Sequence, residues 1–128
     1  MILLDENIID NQRLLLQKWG IRIRQIGYEI GRKGLKDDEI IPLLHKISKV
    51  TFFSRDLGFY RKELCHAKYC IVCLSINQED TAHFIRLLLK YQEFNTQSKR
   101  NAKIIKIRHS EIRLWQIKKD SEQKINLL

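Results

Sequence analysis

One proline, five glycines and three cysteines among 128 residues deny several classes of protein their raw material. Glycine this sparse excludes a collagen-like or glycine-rich low-complexity chain, and a single proline excludes a polyproline one. Three cysteines do not make a disulfide framework, since one is always left over. No apolar run approaches the roughly 20 residues that cross a bilayer, and Leu87-Leu88-Leu89 is typical of the longest. No basic stretch precedes an apolar one at the start, where Asp5 and Glu6 arrive at once. No secretion signal is therefore expected, and the chain is read as cytoplasmic. What remains is 44% hydrophobic and 30% charged, the composition of one folded, soluble domain.

Charge is the first positive signal. Lys and Arg number 24 against 15 Asp and Glu, a net charge of +9. Residues 97–128 hold nine of the bases and only three acids. Such a surplus favours polyanionic partners, because neutralising phosphates releases condensed counterions, and nucleic acid is the expected one.

Hydrophobic patterning predicts the order β-α-β-α-β-(α)-β-α-β-β. Ile2-Leu3-Leu4 reads as a buried strand, and Ile8, Leu15 and Trp19 as one face of a helix ended by Gly20. Ile21 to Ile26 reads as a half-buried strand, followed by a loop from Gly27 to Lys36. Asp37-Asp38-Glu39 opens a second helix, where acids suit the positive end of the dipole and Pro42 lies near the start. Val50 to Phe53 and Tyr69 to Ile76 are strands, residues 57–66 a short helix, and Glu79 to Phe94 the clearest helix. Lys103 to Ile117 reads as a C-terminal β-hairpin turning near His109-Ser110, with 118–128 a basic tail beyond the domain of residues 1–117.

Alternation of this kind predicts a mostly parallel sheet with helices on both faces, a three-layer α/β/α sandwich. In such a sheet the strand ends and helix starts share one edge, the edge where ligands bind. Asp5 ends the first strand, Asp37 and Asp38 start the second helix, and Asp56 ends the third strand. Carboxylates gathered there repel unless a cation sits among them, and hard oxygen donors suit Mg²⁺ or Mn²⁺. The plainer reading makes them turn residues and helix caps.

Three short segments carry a family resemblance: Leu3-Leu4-Asp5-Glu6-Asn7, Lys36-Asp37-Asp38-Glu39-Ile40-Ile41, and Phe52-Phe53-Ser54-Arg55-Asp56-Leu57-Gly58-Phe59. In order and spacing the chain resembles a PIN-like domain over roughly residues 2–94, in particular the compact PIN-type ribonucleases that act as toxins of toxin–antitoxin pairs. The resemblance implies hydrolysis of RNA by water with Mg²⁺ or Mn²⁺, with Asp5, Asp37 and Asp56 as metal-binding catalytic carboxylates. Asp38, Glu6 and Glu29 are further candidates for the metal. It also implies an antitoxin partner and a homodimer; no membrane contact is expected. From position, Arg55 is assigned to a phosphate, and Arg32, Lys33 and Lys36 to guiding the RNA strand. Gly58 stands where the family usually has another acid, and the proline common after the opening Asp-Glu-Asn stretch is missing. A non-catalytic, RNA- or protein-binding module with a degenerate site is thus an alternative.

A second alternative is a receiver-type phosphoacceptor domain, with Asp5, Glu6 and Asp56 as its acids and Ser75 as its switch hydroxyl. Against it stand the acids at the second helix start and the absence of a Lys-Pro pair after the last parallel strand. Cys70 and Cys73 have the spacing of a redox or zinc motif, but residues three apart on a strand point to opposite faces and read as core thiols. His45, His66, His83 and His109 show no ligand spacing. Phe59 and Trp115 read as core or interface residues.

Overall fold

The structure, a computed structural model, describes all residues from Met1 to Leu128. It is an α/β fold with one seven-stranded, mostly parallel sheet and four α-helices. The strands are β1 (Ile2–Leu4), β2 (Arg24–Gln25), β3 (Val50–Ser54), β4 (Tyr69–Leu74), β5 (Lys103–Ile107), β6 (Glu111–Gln116) and β7 (Gln123–Asn126). The helices are α1 (Asp10–Lys18), α2 (Asp37–Ile47), α3 (Thr81–Lys90) and the single turn α4 (Gln97–Arg100). Across the sheet the order is β2-β1-β3-β4-β5-β6-β7. The first five of these are parallel neighbours, while β6 and β7 join antiparallel.

β3 and β4 read as continuous apolar or β-branched runs because both faces of the sheet are covered, and every residue of each is buried. Alternation divides their side chains between two cores. Leu4, Phe53, Val72 and Ile105 pack with Leu16 of α1 and Phe84, Ile85 and Leu88 of α3. Leu3, Phe52, Ile71 and Ile104 pack with Ile40 and Leu44 of α2, and with Phe59. Cys70 falls in the first core and Cys73 in the second, and burial pushes both thiols up to about 12. Phe59 is buried, with its ring edge-on to Phe52 at 5.5 Å.

Gly20 ends α1 as its position suggests, with a φ of 79° and its amide returning to the Gln17 carbonyl at 2.9 Å. Elsewhere the elements differ from the sequence reading. The strand expected over 21–26 shrinks to Arg24–Gln25, because Ile21 and Ile23 turn instead to pack against the α1–α3 core. Residues 57–66 form two 3₁₀ turns, Leu57–Phe59 and Lys62–Leu64, since few of their residues find a face to bury. The helix expected to reach Phe94 stops at Lys90, and α4 follows with the Thr96 hydroxyl accepting from the Lys99 amide at 3.1 Å.

The expected tail over 118–128 is corrected. Gln123–Asn126 form β7, paired to β6 with Ile112 opposite Ile125, and Ile125 and Leu127 pack against the α1–α3 core. Glu122, just before β7, accepts from the Tyr60 hydroxyl and from Arg113 Nη1 at 3.0 Å. Apolar alternation over four residues is too short a signal beside the flanking lysines; the partner strand supplies the missing half. Truncation after Ile117 is expected to cost about 2–4 kcal/mol, from lost apolar burial and the lost Glu122 contacts. Phe53→Ala, which empties the centre of the first core, is expected to cost about 3–5 kcal/mol. Urea unfolding followed by circular dichroism reads both.

Candidate functional site

The register of β1 against β3 builds the site. Leu4 lies opposite Phe53, and the ladder continues one step, with the Asp5 amide donating to the Phe53 carbonyl at 2.8 Å. Asp5 thereby comes beside Ser54, and strand alternation turns both to the α2 side of the sheet. Ser54 Oγ donates to Asp5 Oδ2 at 2.6 Å and accepts from the Asp56 amide at 3.0 Å. Asn7 Nδ2 reaches the same hydroxyl at 3.4 Å, while Asn7 Oδ1 accepts from the Arg55 amide at 3.3 Å. One buried hydroxyl thus fastens two acid-bearing strand ends together.

Asp37 comes to the same edge from the first turn of α2, near enough to Asp56 and Asp5 for their carboxylates to act on it. Asp37 is exposed, like Asp38, yet partial loss of solvent is the largest influence raising its carboxyl above the usual range; hydrogen bonding with Asp56 and repulsion from Asp56 and Asp5 add to it, and Arg61 opposes. Asp5 is also raised, first by burial and then by the nearby Asp56 and Glu6, against the lowering effect of Ser54 and the Glu6 amide. The site therefore concentrates negative charge at one edge of a basic protein, which favours the neutral form of Asp5 and Asp37 beyond the usual.

In donor chemistry the three acids fit a hard divalent ion, all being carboxylate oxygens. Their side chains are not pre-arranged as a cage, for no three His, Cys, Asp or Glu residues stand in metal-holding geometry. Asp56 Oδ1 accepts from the Gly58 amide at 2.8 Å, and a side chain at 58 would begin 3.0 Å from that oxygen. The backbone turn onto Asp56 occupies the space that a side chain at 58 would need.

The other candidates separate. Glu6 Oε1 accepts from the Gly34 amide at 2.9 Å and closes the 27–36 loop. A side chain on Gly27 would meet Lys33 Cγ at 2.9 Å in that loop, where φ is also positive. Glu29 is held by Arg13 at 2.6 Å and by the Gln25 amide, so it braces α1 and β2 instead of joining the cluster. The Asp38 side chain has no hydrogen-bond or ion-pair partner and, like that of Asp37, lies exposed on α2. Arg32 is paired with Glu39 at 2.8 Å, and Glu39 also accepts from the Lys36 amide, capping α2. Lys33 Nζ sits 5.6 Å over the Tyr28 ring. Arg55 donates to the Ile76 carbonyl at 3.0 Å beside a cavity of about 360 Å³ also lined by Ser75, Asn77 and His109.

Sequence reading missed Ser54, Asn7, Gln25 and Arg61. Gln25 is fully buried, and its Nε2 donates to the carbonyls of Asp5 and Ile8, fixing the turn that presents the acids. A polar residue inside an apolar run, as in Phe52-Phe53-Ser54, was the one signal available for Ser54. Compared with family models, curated proteins and solved structures, the chain matches none.

A raised carboxyl binds protons in the folded protein that it releases on unfolding, so stability falls as pH rises through the folded-state pKa. Asp37→Asn is expected to raise the melting temperature at pH 7 by about 1 °C, since Asp37 is exposed and solvent screens the repulsion. Asp38 and Glu39 still complement the helix dipole in that variant. Below the ordinary Asp pKa of 3.8 the difference should vanish, because both forms are then neutral. Thermal melts across pH check this, and a lower melting temperature at pH 7 would refute mutual repulsion.

Proposed function

We propose that the protein is a Mg²⁺- or Mn²⁺-dependent ribonuclease of the PIN-like type, with Asp5, Asp37 and Asp56 holding the metal. The observation that carries this reading is the convergence of three acids, distant in sequence, at the end of the parallel strands. The strand order supports it, since β1 has β2 on one side and β3 on the other, and ligands bind where such a sheet changes direction. In the same reading the two cores are the interfaces of an α/β/α sandwich, β5 and β6 are its C-terminal hairpin, and the protein works in the cytoplasm. A small antitoxin protein and a second copy of the chain are its proposed protein partners.

Asp5, Asp37 and Asp56 would hold a divalent cation, which when bound would supply polarisation of the phosphoryl oxygens and a water of lowered pKa. The protein's own part is positioning. Ser54 orients Asp5 and the Asp56 segment, Asp37 would complete the set of carboxylates that hold the ion, and Arg55 and Arg61 bring positive charge to the phosphodiester. The basic surface attracts RNA, and its affinity falls with salt. A phosphoacceptor function uses the same strand order with Asp56 as the acceptor, and labelling by acetyl phosphate would support it instead.

Single-stranded RNA incubated with Mn²⁺ is expected to be cleaved, leaving 5′-phosphate ends. Asp5→Asn and Asp56→Asn should abolish cleavage, and Ser54→Ala should lower metal affinity or rate about 10–100-fold, as loss of a ligand-orienting partner does. The rise in melting temperature with added Mn²⁺ gives a readout independent of turnover. Equal cleavage by wild type and both Asp variants would identify a contaminant and overturn the proposal.

A further inference from the structure

A cavity of about 760 Å³ opens far from the acids. It lies where β5 and β7 begin and β6 ends, because Lys103 pairs with Gln116 and Leu114 with Gln123. That is the edge opposite Asp5 and Asp56. Leu114, Ile125 and Phe94, which line it, belong to the α1–α3 core, so the cavity is also on the other face of the sheet.

Its chemistry is uneven. Lys99, Lys103 and Lys119 supply three positive charges, and none of them is in an ion pair. Lys99 Nζ donates to the Gln92 carbonyl at 2.9 Å and to Asn95 Oδ1 at 3.1 Å, and Lys103 Nζ donates to the Lys99 carbonyl. These neutral acceptors orient the ammonium groups without cancelling their charge. Burial lowers the Lys103 pKa, and Lys119 adds to this, while Glu93 opposes it from within the same cavity. Arg100, one residue before the loop into β5, is buried with the Thr51 hydroxyl, the Phe94 carbonyl and the Gln97 amide as partners. It too lacks a carboxylate, and so deepens the positive field.

Three glutamines, Gln92, Gln116 and Gln123, complete the polar lining. A side-chain amide carries a donor and an acceptor together, the pattern that a nucleobase edge presents, whereas a simple polyanion needs donors alone. Glu93 disfavours a polycarboxylate but accepts hydrogen bonds from ribose hydroxyls or a base amino group. The volume lies in the range of small-ligand sites, about 300–1,000 Å³. We infer that this cavity binds a phosphorylated nucleoside, with the lysines on the phosphate and the glutamine amides on the base. The ligand is a free nucleotide or one nucleotide of a single-stranded RNA. The inference stands apart from the ribonuclease reading, since it uses none of the same residues.

Isothermal titration with AMP, GMP, CMP and UMP tests the first source, and anisotropy of a fluorescein-labelled oligo-uridine tests the second. Both are run in EDTA, so that failure of the ribonuclease reading leaves the result untouched. Saturable binding of a mononucleotide assigns a nucleotide site, and binding of the oligonucleotide alone assigns a strand-binding site. In either case the Lys103→Gln/Lys119→Gln variant should bind at least about tenfold more weakly, the scale of one charged hydrogen bond. For RNA, each lost lysine should reduce the salt slope by about 1. Gln116→Ala, at a half-buried position, guards against a folding defect in the double variant and should weaken mononucleotide binding or flatten base preference. No binding of either probe by wild type, or affinities unchanged in all variants with native circular dichroism, overturns the inference.

Discussion

The parallel pairing of β1 with β3 is the constraint on which the carboxylate cluster depends. Two strands running the same way end at the same edge, and here their register brings Asp5 level with Ser54. The Ser54 hydroxyl then has to serve both the Asp5 carboxylate and the Asp56 amide. Shifting that register by one residue would turn Asp5 to the α1–α3 side and bury its charge among Leu16 and Ile8. The cost is high enough to make the pairing specific. The opposing contribution comes from the same strands, whose remaining side chains fill two cores with almost no polar interruption.

Charge is segregated around that sheet. Acids gather on the α2 face where the parallel strands end, while unpaired lysines gather on the other face where β5 begins. Such separation lets a protein of net charge +9 carry a locally anionic site. Between the two regions, Tyr60, Glu122 and Arg113 tie the 3₁₀ segment after β3 to the antiparallel strands. Burial and the Glu122 contact hold the Tyr60 hydroxyl far above its ordinary pKa, while Glu122 is lowered, so this clasp keeps one fixed protonation state near neutrality.

Much of the fold was legible because its signals are local. Tyr69–Leu74 could only be an internal strand, and Gly20 only a stop, since each depends on residues within a few positions. Cys70 and Cys73 were separable by strand alternation alone. Less was legible where burial depends on a distant partner. β7 exists because β6 offers an unpaired edge, and β2 is short because Ile21 and Ile23 found the core by another route. The local partners of the basic residues near the site were not legible for the same reason: Arg32 pairs with Glu39, and Lys33 lies over the Tyr28 ring.

The sequence by itself determined the alternation of strands and helices, the edge at which Asp5, Asp37 and Asp56 must emerge, and the excess of positive charge. These follow from periodicity, handedness and composition, which act along the chain. Only the tertiary structure decided that Asp37 comes near enough to Asp56 and Asp5 to feel their charge, that Ser54 and Gln25 hold the acid-bearing turns, and that Gly58 closes a backbone turn onto Asp56. Those depend on the relative depth of separate elements to within an ångström or so. Only packing of the two cores against one sheet sets that distance.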